Sequence, residues 1–128
     1  MTSRRPLVAI VDDDESVCRA MKRLVRSLEM EADTFHSGTA FLELYAAMPS
    51  SRPDCLILDL QMPGMDGLEV QERLAELNSA IPIVFITAHD APGMRERALS
   101  AGAIAYLRKP FDDELLVAAL EAALARAQ

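Results

Sequence analysis

The stretch Asp54-Cys55-Leu56-Ile57-Leu58-Asp59-Leu60-Gln61-Met62-Pro63-Gly64 passes from an apolar run straight into a carboxylate and then into turn formers. A short apolar run bounded by polar and Pro/Gly signals reads as a buried central strand. Asp59 then stands at the carboxyl end of that strand, which in open parallel α/β sheets is the edge where ligands bind. Taken alone, an aspartate here serves equally well as a helix N-cap or a turn residue. Three other stretches weigh against that bland role. Leu7-Val8-Ala9-Ile10-Val11 ends in Asp12-Asp13-Asp14-Glu15, Ile83-Val84-Phe85-Ile86 ends in Thr87, and Ile104-Ala105-Tyr106-Leu107-Arg108 ends in Lys109-Pro110. Several strands thus bring carboxylates, a hydroxyl and an ammonium group to one rim.

Between these strands the apolar period changes from that of a strand to that of a helix. Val17, Met21, Leu24, Val25 and Leu28 recur at helical spacing, with Arg19, Lys22, Arg23 and Arg26 on the opposite arc and Asp14 placed to cap the N-terminus. The basic arc is read first as a solvated face and second as a docking surface for an acidic partner. Ala32 to Phe35 is a weak strand, followed by Ala40, Phe41, Leu44 and Tyr45 at helical spacing; His36 between them is a surface histidine. Pro49-Ser50-Ser51-Arg52-Pro53 is a loop by composition. Met62 to Gly67 is a turn, and Leu68, Val70, Leu74 and Leu77 mark a third helix that Asp66 caps. A short, weakly patterned helix carries Met94, Ala98 and Leu99 up to Ala101-Gly102, and a last one, capped by Asp112, presents Leu115, Leu116, Ala119, Leu120 and Ala123 to the core.

Strand and helix alternating five times predict an α/β fold. It is a doubly wound, five-stranded parallel sheet with helices on both faces, a flavodoxin-like sandwich joined by right-handed crossovers. The 128 residues suit one domain, spanning 1–128 and complete in itself or cut from a longer protein, and a hydrophobic fraction of 51% argues against disorder. A net charge of -7 disfavours direct binding to nucleic acid or to an anionic membrane through this chain. No apolar run approaches the roughly 18 residues of a membrane span or resembles a signal-peptide core, so the expected location is the cytoplasm. Cys18 and Cys55 fall within regular elements and are expected to be reduced packing residues. Met62 and Met65 lack the cysteine or clustered histidine that would make them soft metal ligands.

Asp12, Asp13 and Asp59 gathered at one edge repel one another unless a cation joins them, and all-oxygen ligation suits Mg²⁺. Lys109 can neutralise further negative charge, and Thr87 can offer its hydroxyl to a phosphoryl oxygen. Carboxylates, Mg²⁺, lysine and hydroxyl together form a phosphoryl-transfer set. There is no Gly-rich phosphate loop, and the acidic end of the first strand opposes a nucleotide or flavin phosphate. Asp59 is left as the acceptor itself, a carboxylate nucleophile that forms an acyl phosphate.

Val11-Asp12-Asp13, the strand ending in Asp59, Met62-Pro63-Gly64, Thr87-Ala88 and the run from Tyr106 through Lys109-Pro110-Phe111, in this order and spacing, resemble the receiver domain of bacterial two-component response regulators. The resemblance covers essentially the whole chain. It implies the strand order 2-1-3-4-5 and transfer of a phosphoryl group to Asp59 from a phosphohistidine on a sensor histidine kinase or a phosphotransfer protein. It also implies Mg²⁺, replaceable by Mn²⁺, held by Asp12, Asp13, Asp59 and the backbone carbonyl of Gln61. Lys109 would pair with Asp59 and then with the phosphate, across a cis peptide to Pro110. Thr87 would swing toward the phosphate, and Tyr106 would follow from an outward to an inward rotamer. Gln61 and His89, each two residues beyond a site residue, would tune access of water to the acyl phosphate.

On this reading the chain is a regulatory module rather than an enzyme, limited to accepting a phosphoryl group and losing it again. The fourth helix, fifth strand and fifth helix would form the surface that dimerises or releases an output domain. The last third is similar to receivers that precede a LuxR-like helix-turn-helix, so contact with DNA would come only through that further domain. Two rival readings stand beside it: a lone receiver serving as a phosphorelay intermediate or adaptor, and a Mg²⁺-dependent aspartyl-phosphate phosphatase. The second usually carries an acid/base aspartate two residues after the nucleophile, where this chain has Gln61.

Overall fold

The structure is a computed structural model that describes residues 5–47 and 52–127. Its elements alternate throughout: β1 (Leu7–Val11), α1 (Glu15–Ser27), β2 (Glu31–Phe35), α2 (Gly38–Ala47), β3 (Cys55–Asp59), α3 (Gly67–Glu76), β4 (Ile83–Thr87), α4 (Met94–Ser100), β5 (Ala105–Arg108) and α5 (Asp113–Ala127). The five strands are all parallel in the order β2-β1-β3-β4-β5, as the alternation and the resemblance implied. Residues 49–51 of the expected loop lie outside the described residues.

The central strands are apolar at every position up to the rim residues Asp59 and Thr87 because both of their faces are covered. Val8, Ile10, Cys55, Ile57, Val84 and Ile86 point to the side closed by Cys18 and Val25 of α1 and by Leu116, Ala119, Leu120 and Ala123 of α5. Their neighbours Ala9, Val11, Leu56, Leu58 and Phe85 point to the other side, against Phe41 and Tyr45 of α2, Leu68, Val70 and Leu74 of α3 and Ala98 of α4. Both cysteines are buried and unpaired, and burial pushes the Cys55 thiol up to about 12. Met62 is buried and Met65 partly buried, and both pack in the core.

Helix ends follow local chemistry. Asp14 accepts the Ser16 and Val17 N–H groups at the start of α1. Asp66 and Glu69 form a reciprocal capping box on α3. At the start of α5 the Asp112 carbonyl accepts Leu115 N–H at 3.0 Å. Helices α1, α3 and α4 each close with a residue in the left-handed region, Glu29 (φ 62°), Asn78 (φ 58°) and Gly102 (φ 107°).

Leu115 is 53% exposed and does not join the core. The stripe facing the sheet is Leu116, Ala119, Leu120 and Ala123, and Leu115 sits one residue, about 100°, outside it. Leu44 and Leu77, expected on apolar faces, are likewise exposed.

Candidate functional site

Each rim residue is placed by the strand that ends at it. Val11 pairs with Leu58 and Asp59 with Ile86, so Asp12, the next residue after β1, stands beside Asp59 at the carboxyl edge. Thr87 ends β4 opposite Arg108, and Lys109 follows directly. The Lys109-Pro110 peptide is cis. Parallel pairing without a slip brings the ends of four strands to one level.

The acidic cluster is tight. One carboxylate oxygen from each of Asp12, Asp13 and Asp59 lies within 4.8 Å of the others. Asp12 is fully buried and Asp59 is 5% exposed, whereas Asp13 faces solvent. Asp12 Oδ1 accepts the Asp14 N–H at 2.8 Å. Burial first, then the Asp12 charge, pushes the Asp59 carboxyl up to about 7, against the pull of Lys109 and of the Gln61 N–H bond. A hydrogen bond with Asp13 raises it further. Three carboxylates at such spacing, two of them shielded from water, fit a hard divalent cation with oxygen ligands.

Lys109 Nζ sits 2.8 Å from Asp12 Oδ2 and 3.8 Å from Asp59 Oδ1. The expected Lys109–Asp59 pair is therefore the longer of two contacts, and Asp12 is the hydrogen-bonded partner. The enclosed Asp12 needs a counter-charge, while Asp59 already has the Gln61 N–H and the Asp13 carboxyl. Thr87 is fully buried; its Oγ1 donates to the His89 carbonyl at 2.9 Å and accepts the His89 N–H at 3.1 Å. Tyr106 is buried, 5% exposed, and its hydroxyl donates to Asp90 Oδ1 at 3.0 Å. Burial and that acceptor push its hydroxyl up to about 12. The side chains of Gln61 and His89 are exposed beside the rim.

Three contributors escaped the sequence reading. Gly67, taken as the end of a turn, is the first residue of α3, and a Cβ there would lie 2.6 Å from the Asp59 carbonyl oxygen. The usable signal was a poor helix former directly after a capping aspartate, which calls for a packing reason. Cys18 Sγ donates to the Asp12 carbonyl at 3.3 Å, and Gln71 Nε2 to the Ala98 carbonyl at 3.1 Å. Neither has a local sequence signature, because each partner comes from another element.

Residues 8–121 match the family profile of the response regulator receiver domain. The chain belongs to that family. The receiver is 44% identical to response regulator protein TmoT of Ectopseudomonas mendocina over 124 residues, 97% of this chain and 55% of TmoT. It is 35% identical to the DNA-binding transcriptional regulator NtrC of Escherichia coli (strain K12) over 125 residues, 98% of this chain and 26% of NtrC. The crystal structure of a response regulator receiver protein from Burkholderia phymatum matches with a TM-score of 0.84 and 57% identity, covering 94% of this chain and 96% of that one. The receiver thus spans about half the length of TmoT and a quarter of NtrC. It is the phosphoacceptor signalling domain of a two-component system. No helix among the described residues is long and apolar enough to cross a membrane.

Proposed function

We propose that Asp59 is the phosphoacceptor and that residues 1–128 form a single receiver domain controlling a transcriptional output. The observation that carries this reading is the meeting of Asp59, Asp12 and Asp13 within 4.8 Å at the strand ends, with Lys109 reaching over them. An Asp59 carboxylate oxygen attacks the phosphorus of a phosphohistidine on a sensor kinase or phosphotransfer protein. The new O–P bond forms as the P–N bond breaks, and the released imidazole takes up a proton. Asp12, Asp13, Asp59 and the Gln61 carbonyl would hold Mg²⁺ or Mn²⁺, which when bound supplies the positive charge that keeps Asp59 ionised and offsets the incoming phosphoryl charge. Lys109 adds a second positive charge on the buried side. The Thr87 hydroxyl, now on the His89 backbone, turns to donate to a phosphoryl oxygen, and Tyr106 follows to an inward rotamer. Exposed Gln61 and His89 side chains set how readily water reaches the acyl phosphate.

The relatives support a transcriptional output. NtrC is by name a DNA-binding transcriptional regulator, and TmoT is a response regulator about twice the length of this chain. A LuxR-like helix-turn-helix is the proposed output, governed by a surface of α4, β5 and α5 that also serves homodimerisation, in the cytoplasm. Beyond accepting and losing its own phosphoryl group the domain is not an enzyme. The test is intact-mass analysis after incubation with acetyl phosphate and Mg²⁺. A single labile phosphoryl gain in the wild type, lost without Mg²⁺ and in Asp59→Asn, supports the reading. No gain in the folded wild type refutes it, and multiple-turnover hydrolysis of a phosphomonoester would favour a phosphatase instead.

A further inference from the structure

Away from the rim, the edge strand β2 and the helix α2 that follows it leave a gap between them. A cavity of about 140 Å³ lies there, lined from Leu7 and Pro53 to Phe35. Among the described residues, none of the rim groups Asp12, Asp13, Asp59, Thr87 and Lys109 lines it. Its inner end is formed by Ala9 and Phe41, each 1% exposed, and its mouth by the exposed Leu44 and Asp33. Three rings frame it: Phe35 meets Phe41 edge to face at 5.4 Å, and Phe41 meets Tyr45 at 5.4 Å. Two polar residues of the lining already have partners. The Tyr45 hydroxyl shares a hydrogen bond with Ser79 Oγ. Arg52 Nε donates to the Tyr45 carbonyl at 3.2 Å, and its guanidinium lies 4.3 Å over the Tyr45 ring.

We propose that this cavity is a binding site for a neutral molecule built on a single aromatic ring. Protein interiors are packed too closely to leave many apolar spaces of this size, and water inside one finds few polar groups to bond. An apolar cavity of about 150 Å³ is enough to take one benzene molecule. The three rings offer faces and edges to a fourth, which gains from edge-to-face contact beyond the apolar area it buries. The Tyr45 hydroxyl and Arg52 Nε are engaged within the protein, so they ask no hydrogen bond of the ligand. Asp33 and Arg52 bring opposite charges to the lining, so neither an anion nor a cation gains from the site as a whole. The site is separate from the rim and stands whatever the role of Asp59.

The test titrates the whole chain with fluorobenzene and follows it by methyl and fluorine NMR. Saturable shifts are expected at the Leu7, Ala9 and Leu44 methyls, with half-saturation at about 1 mM, the affinity open to so few ligand atoms. The methyls of Val8 and Ile10, on the opposite face of the sheet, should move far less. Naphthalene, which is too large, and benzoate, which carries a charge, should each bind at least about tenfold more weakly. Leu44→Ala trims the exposed mouth without touching the core and should weaken binding by about threefold. Ala9→Val fills the inner end and should abolish it. In the folded wild type, the absence of a saturable shift, equal shifts at Val8 and Ile10, or equal binding of naphthalene or benzoate would overturn the assignment. Unchanged binding by folded Leu44→Ala would overturn it as well.

Discussion

Replacing Asp59 with asparagine removes a negative charge that the fold holds at a cost. The Asp59 carboxyl is raised from its ordinary 3.8 to about 7, chiefly by burial and then by Asp12. The folded state therefore holds this proton more tightly than the unfolded chain does. As pH rises from 3.8 toward about 7 the unfolded chain releases the proton first, so stability falls across that window and the loss is complete above it. About three pH units at about 1.4 kcal/mol each set a ceiling of about 4 kcal/mol. Lys109, 3.8 Å away, can close on an ionised Asp59, which brings the expected gain for Asp59→Asn to about 2 kcal/mol. The asparagine keeps an oxygen for the Gln61 N–H and adds a donor toward Asp12 or Asp13. Urea unfolding followed by circular dichroism in chelator should show a midpoint about 1 M higher for the variant at about pH 8, and less than half that difference at about pH 5. Mg²⁺ should then raise the wild type more than the variant, because only the wild type offers the full acidic set. A variant no more stable than the wild type at the higher pH, or equally advantaged at both, would refute the argument that the buried charge carries the cost.

Four further outcomes follow from particular contacts. Lys109→Ala strips the buried Asp12 of its counter-charge and should destabilise the metal-free domain by about 3 kcal/mol in the same urea assay, with Mg²⁺ restoring part of the loss. Gly67→Ala places a methyl 2.6 Å from the Asp59 carbonyl oxygen and 3.0 Å from the Phe85 ring, so the backbone must shift. A loss of about 1–3 kcal/mol in urea and slower phosphorylation by acetyl phosphate are expected. Glu29→Gly relieves a left-handed backbone at the end of α1 (φ 62°) and should gain about 1 kcal/mol, read as a higher thermal midpoint. Both cysteines are buried with thiols pushed upward, so iodoacetamide at mildly alkaline pH should leave them unmodified until urea unfolds the domain.

The sheet was legible because its central strands are continuous apolar runs up to their rim residues, a pattern that two covered faces require. The caps at Asp14 and Asp66 were legible because a capping side chain bonds to N–H groups two or three residues away. The approximate extents of the helices were legible from apolar residues recurring at helical spacing between turn formers. Leu115 was misassigned because the face that meets the sheet is set by where α5 docks; within the sequence it is as apolar as Leu116.

At the rim, residue types and order in sequence alone determined that Asp12, Asp13, Asp59, Thr87 and Lys109 gather at one edge, because parallel strands that end in these residues have nowhere else to put them. How those groups share their bonds was decided only in three dimensions. Lys109 chose Asp12 over Asp59, the Thr87 hydroxyl settled on the His89 backbone, and the Tyr106 hydroxyl found Asp90. A local pattern specifies which element a residue joins. The partner a side chain finds depends on distances of about an ångström between elements far apart in sequence, and those are set by the packing of the whole core.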